Sequence, residues 1–212
     1  ATGCPGFCEQ GPIVVVYPQE VCYLHVQPED VAEIISQSMK GQIVERLLYV
    51  DPVTGKAISR ESDIPFYKYQ KRLILGNNRL IDATKIDDYI ALGGYKALSK
   101  AVFDMSPEQV MAEIEKASLR GRGGGGFPTA RKWKSTRDAP GEPKYVIVNC
   151  DEGDPGAFMN RALMEGNPHS VLEGLAIGAY AMGSHEGFIY VRQEYPLAAE
   201  NIAIAIKQAE DY

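Results

Sequence analysis

The sequence predicts an α/β protein whose second half is built on a mainly parallel sheet and whose first forty residues form a smaller α/β unit. Three observations carry this. Strand and helix patterns alternate after residue 144. The leading segment holds two extended runs followed by a capped helix. The 212 residues are 45% hydrophobic, enough to bury a substantial core.

In order along the chain, residues 13–17 read as a buried strand and 21–26 as a second extended stretch. Pro28-Glu-Asp starts a helix that places Val31, Ile34 and Ile35 on one face and stops at Gly41. Residues 42–68 hold scattered apolar groups interrupted by Asp51-Pro52, Gly55 and Ser59, and are the expected linker. Short helical patterns near 86–91 and 95–103 lead to Ser106-Pro-Glu-Gln109, a capping box with Pro at the first helical position. That helix carries Val110, Met111 and Ile114 and is expected to run to about Ala117. Strands at 144–149 and 187–192 alternate with helices opened by Asn167-Pro168 and by Pro196. Two strands are few for a finished parallel sheet, so further strands are expected beyond Tyr212.

Composition narrows the function classes. With 22 Lys and Arg against 28 Asp and Glu, the formal charge of -6 repels nucleic acid and anionic lipid unless basic residues are concentrated in a patch. The longest apolar runs, near 14–17 and 175–182, fall short of the roughly 20 residues a membrane span needs. The amino terminus has no basic segment leading into an apolar stretch, and the expected location is cytoplasmic, with no membrane insertion. Four cysteines, unevenly placed, favour metal, cofactor or core roles over a disulfide scaffold.

The sharpest local feature is Leu119-Arg-Gly-Arg-Gly-Gly-Gly-Gly-Phe-Pro-Thr-Ala-Arg-Lys-Trp133. Five glycines within 121–126 let the backbone approach a ligand closely, and Arg120, Arg122, Arg131 and Lys132 surround them with positive charge. That combination suits a phosphate or pyrophosphate; the plain alternative is a mobile surface loop. Gly121, Gly123 and Gly126 satisfy G-x-G-x-x-G, but a helix precedes the loop where a strand is needed, and Pro128 makes the exit rigid rather than continuing a helix directly from the last glycine.

The second feature is Asn149-Cys-Asp-Glu-Gly-Asp-Pro-Gly156, at the carboxyl end of a predicted strand, where open α/β sheets bind ligands. Its amide and carboxylates suit sugar hydroxyls; a solvated turn or a divalent-cation loop are the alternatives, the latter mismatched to the twelve-residue calcium pattern. Cys4-x3-Cys8 has the spacing of half a cluster or metal site, while Cys22 and Cys150 read as core residues. His25, His169 and His185 have no paired ligand at metal spacing and read as structural or solvated. The chain shows no Ser, His and acid set, and a cofactor enzyme needs none, because the protein then supplies orientation and electrostatics.

Residues 119–133, 145–161, Pro168-His169 and Tyr190-Val-Arg-Gln-Glu-Tyr-Pro196 together resemble the flavin-binding, 51 kDa-type subunit of respiratory complex I and its relatives in NAD-linked hydrogenases and formate dehydrogenases. The resemblance implies a Rossmann-like FMN-binding α/β sandwich, incomplete here, over 69–212. By motif it places Gly121, Arg122, Gly123, Gly124 and Lys132 against FMN, with Asn149, Asp151 and Glu152 as further contacts. Phe127 then lies on the adenine side of NADH, and Asp154 stands near the nicotinamide where many relatives have Glu. The leading residues 1–41 resemble the end of a thioredoxin-like [2Fe–2S] domain, with Cys4 and Cys8 as its last ligand pair.

The family continues with a segment completing the NADH pocket and a [4Fe–4S] cysteine motif, neither found before Tyr212, so the resemblance implies a fragment that is inactive alone. The implied activity is that of an NADH dehydrogenase or NAD-reducing hydrogenase flavin subunit. It would pass electrons from NAD(P)H through FMN to iron–sulfur subunits of a larger oxidoreductase. The rival is a non-catalytic interaction or assembly domain that keeps the fold without cofactor. A phosphate-binding kinase-like enzyme would need a magnesium-binding set that the sequence does not offer.

Overall fold

A computed structural model describes residues 2–4 and 6–212. The chain divides into two compact units, one running from Cys4 to Leu73 and the other formed by residues 2–3 with 74–212.

In the amino-terminal unit, β1 (Val14–Val16) pairs antiparallel with β2 (Val21–Tyr23), Val15 facing Cys22. A 3₁₀ turn, Pro28–Asp30, leads into α1 (Val31–Met39), and Gly41 follows at a φ of 68°. The start and stop predicted for this helix are both present. Val21, Tyr23, Val26 and Ile34 share a core with Val44 and Leu47, while Cys22 and Leu24 pack with Ile64 and Tyr67.

Residues 42–68 are therefore packed into this unit and do not form a free connection. They contribute β3 (Tyr49–Val50), β4 (Ala57–Ile58) and α2 (Pro65–Lys68), and the second edge of β2 pairs with the chain near Arg60. The Cys22 amide donates to the Ser59 carbonyl at 2.8 Å. β3 and β4 pair with each other, Tyr49 opposite Ile58 and Val50 opposite Ala57, and strands of two residues are too short to show a period.

The carboxyl-terminal unit contains α3 (Ile86–Ala91), α4 (Lys96–Asp104), α5 (Pro107–Lys116), α6 (Thr129–Asp138), β5 (Tyr145–Cys150), α7 (Met159–Gly166), α8 (Pro168–Met182), β6 (Glu186–Val191) and α9 (Pro196–Asp211). The predicted capping box is made: the Gln109 amide donates to Ser106 Oγ at 3.3 Å, and the Ser106 amide donates to Gln109 Oε1 at 2.7 Å. β5 and β6 pair in parallel, in register from Tyr145 opposite Glu186 to Cys150 opposite Val191. One sheet face, Val148, Cys150, Ile189 and Val191, packs on Leu172 of α8 and Ala198, Ile202 and Ala205 of α9.

α8 is the hub. It touches α4, α5, α6, α7, α9 and β5, as a helix with apolar residues on most sides must. Trp133 of α6 comes so close to Gly178 that a Cβ there would lie 3.3 Å from the indole. Asn167 does not cap α8 with its side chain as expected; its carbonyl accepts from the Ser170 amide at 3.2 Å and the Ser170 hydroxyl at 2.8 Å. Two helices of this unit escape sequence reading, α6 directly after Pro128 and α7 after the acidic turn.

Candidate flavin site

The glycine loop is a closed excursion between α5 and α6. Arg120 and Pro128 form an antiparallel bridge at its base. There the Gly121 amide donates to the Phe127 carbonyl at 2.8 Å and the Thr129 amide to Leu119 at 2.9 Å. Arg120 Nε donates to the Gly126 carbonyl at 2.5 Å, tying the base side to the far limb. The tip, residues 122–125, is exposed.

The glycines divide into two classes. Gly124 and Gly126 have φ of 98° and 57°, which only glycine adopts without strain. Gly123 and Gly125 have no such φ, and a Cβ on either would meet nothing within 4 Å. Neither backbone conformation nor packing within the chain requires glycine there. Glycine there leaves the backbone open to close approach by a ligand.

α6 gives the loop an electrostatic sense. Its first turn carries Arg131 and Lys132 and no acid. Cations at the positive end of a helix are unfavourable unless an anion offsets them. Pro128 is the N-cap of α6, so the helix does not continue directly from Gly126; Pro fixes its own φ and is well tolerated at a helix start. Phe127 is exposed, with the Arg131 guanidinium 5.9 Å from its ring centroid. A cavity of about 590 Å³ lies at the loop base, lined by Met111, Ile114, Leu119, Arg120, Pro128 and Arg131.

The acidic turn leaves β5 at the strand's carboxyl end. The Asp151 amide donates to Asn149 Oδ1 at 3.0 Å, an Asx turn. Glu152 follows at a φ of 44°, and both its carboxylate oxygens are engaged, by the Asn160 amide at 2.8 Å and the Arg161 amide at 2.9 Å. It is thus the distant N-cap of α7. Asp151 and Asp154 are exposed. Cys150 is buried, and burial, aided by Glu152, pushes its thiol up to about 11. Asn149 and Trp133 of α6 line a common cavity of about 360 Å³.

Residues 114–212 match the family described as the Nuo51 FMN-binding domain, Complex1_51K. The chain is 48% identical over 145 residues to NADP-reducing hydrogenase subunit HndC of Solidesulfovibrio fructosivorans, covering 68% of this chain and 29% of that protein. It is 47% identical over 125 residues to an NADH-quinone oxidoreductase subunit of Aquifex aeolicus (strain VF5), covering 59% of this chain and 29% of the relative. Residues 114–212 are homologous to this family.

Among solved structures, an NAD+-reducing [NiFe]-hydrogenase in the air-oxidized state shares the fold over 99% of this chain and 33% of its own, with a TM-score of 0.53 and 22% identity. The chain thus spans about a third of the length of the relatives it matches. The family match covers the whole of the glycine loop and the acidic turn.

Gly121, Arg122, Gly123, Gly124 and Phe127 share one loop and Lys132 lies in the first turn of the helix after it, while Asn149 is near the end of β5 and Asp151, Glu152 and Asp154 are in the turn that follows. Cys4 and Cys8 belong to the amino-terminal unit, both exposed, with Sγ atoms 3.6 Å apart and the Gly6 amide donating to Cys4 Sγ at 3.3 Å. Cys22 is buried in β2, and desolvation, with a smaller effect of Glu61, pushes its thiol up to about 12, as a core residue should show. Sequence reading missed Arg192 and Tyr195 as parts of the turn's framework. Their signal was the Tyr190–Pro196 segment, which carried the resemblance without a role for either residue.

Proposed function

We propose that the chain is part of an NADH-oxidising flavoprotein module that passes electrons from NAD(P)H through FMN to iron–sulfur clusters of a multisubunit oxidoreductase. The observation that carries this reading is the exposed glycine loop leading into a helix whose first turn holds Arg131 and Lys132. The residues suit FMN. Gly121, Arg122, Gly123 and Gly124 offer close backbone approach and charge to a phosphate, and Lys132 adds an ammonium at the helix start. Asn149 and Asp151 offer polar groups to ribityl hydroxyls, and Glu152 shapes that turn by capping α7.

Phe127 and Asp154 are assigned to the NADH side, the first as an apolar surface and the second as a hydrogen-bond acceptor. FMN, when bound, supplies hydride acceptance and release of single electrons. The chain's own task is to hold the phosphate, orient the ring system and admit the nucleotide.

The cysteine pair suits one metal ion of a cluster, since 3.6 Å is close to the roughly 3.8 Å edge of a tetrahedron with metal–sulfur bonds of about 2.3 Å. It supplies two of the four ligands a [2Fe–2S] centre needs. Among the described residues no group of three or more potential ligands gathers.

Replacing Lys132 by Ala should weaken FMN binding by about 1.5–3 kcal/mol, the loss of a charge-assisted hydrogen bond. Replacing Lys100, on α4, should leave it unchanged. Quenching of flavin fluorescence measures both, and equal dissociation constants for the two variants would contradict the site.

A further inference from the structure

Arg192 follows β6 directly, and because Cys150 pairs with Val191, it stands beside the residue that opens the acidic turn. Its guanidinium is held on three sides. Nη1 donates to the Glu152 carbonyl at 3.0 Å, Nη2 and Nε donate to the two carboxylate oxygens of Glu194 at 2.8 and 3.2 Å, and the ring centroid of buried Tyr195 lies 5.4 Å away. Tyr195 in turn donates its hydroxyl to the Ala157 carbonyl at 3.4 Å, at the far end of the same turn. Arg161 sits 5.5 Å from the Tyr195 ring.

The turn needs this support. Glu152 has a left-handed backbone, unfavourable for a residue with a Cβ, and it persists only where the surroundings over-determine it. Its side chain is fixed by the α7 amides and its carbonyl by Arg192. The guanidinium fork reaches Glu152 and Glu194 at once, which a lysine ammonium at the end of a flexible stem does less well.

We infer that Arg192 is a positioning residue for the flavin turn, acting through the Glu152 carbonyl to hold Asn149 and Asp151 where a ribityl chain would meet them. This rests on the flavin reading above. The supporting residues belong to a strand end and a helix start, so the turn takes its geometry from rigid elements and not from its own sequence.

The test uses the full chain with Arg192→Ala, Arg192→Lys and Glu194→Gln, and two readouts. Hydrogen exchange at the Asn160 and Arg161 amides, read without flavin, should accelerate in Arg192→Ala, because release of the Glu152 carbonyl loosens the cap. The FMN dissociation constant should rise about tenfold or more in Arg192→Ala, the size expected for losing a charge-assisted contact. Arg192→Lys should recover part of that loss, and Glu194→Gln should show a smaller one.

Unchanged exchange in Arg192→Ala would overturn the positioning role whatever the flavin does. Faster exchange with an unchanged dissociation constant would show that the turn is held but does not matter to flavin. Failure of the unaltered chain to bind FMN would overturn the flavin reading and with it the role assigned to Arg192, leaving only the exchange result as a statement about the fold.

Discussion

His169 lies 1% exposed at the start of α8, and its partners fix its protonation. Gln208 donates through Nε2 to the Thr84 carbonyl at 2.7 Å, so it presents Oε1 to His169 Nε2 at 3.1 Å. That nitrogen therefore carries the proton, and Nδ1 accepts from the Tyr95 hydroxyl at 2.8 Å. Beside it, Glu173 accepts from the Tyr89 hydroxyl and from the Ala97 and Leu98 amides at 3.1 Å each, capping α4. Burial holds the His169 pKa below its ordinary value, against the opposing effect of Gln208. A second proton would meet the Tyr95 hydroxyl donor head on. The stability tied to neutral His169 is thus fully present above the unfolded pKa of about 6.5 and is lost progressively as pH falls from there through the lowered folded pKa. The melting temperature should drop between pH 7.5 and 5.5, and His169→Gln should flatten that drop. Parallel pH profiles for the two proteins would contradict the role given to His169.

Among the elements, α5 shows local encoding at its clearest. Ser106→Ala should cost about 1 kcal/mol, seen as a lower urea midpoint with an unchanged slope, because one half of a formed capping box is removed. No shift would mean that packing of Val110 and Met111 alone fixes this helix start. β5, α8, β6 and α9 were equally legible, since period, Pro at the first helical position and apolar runs agree for each. α6 was not, because Ala130 is its only buried residue and no apolar stripe marks it. α7 was hidden for a different reason: its cap is supplied by Glu152, seven residues before its first residue. The loop and the turn of the candidate site were legible as compositions, while the support given by Arg192 and Tyr195 depended on strand pairing that no local pattern reports. Residues 42–68 failed as a linker for the same reason, their order coming from contacts with β2.

At the scale of the whole molecule, each of the two units has cores of its own. Among the described residues no helix is long and apolar enough to cross a membrane. The face of the parallel sheet opposite α8 and α9 displays Tyr145, Ile147, Phe188 and Tyr190, each about half exposed or more, although parallel sheets are usually covered on both faces. The chain spans about a third of the length of the relatives it matches, and what is proposed for it is flavin recognition. That recognition is assigned to the phosphate, held by the glycine loop and the start of α6. The decisive measurement is a paired titration of the unaltered chain and Gly123→Ala with FMN and with riboflavin, which lacks the phosphate. FMN should bind at least about tenfold more tightly than riboflavin, and Gly123→Ala should remove that difference while its stability stays within about 0.5 kcal/mol. Equal affinity for FMN and riboflavin in the unaltered chain, or a phosphate preference that survives Gly123→Ala, would contradict the assignment of the loop.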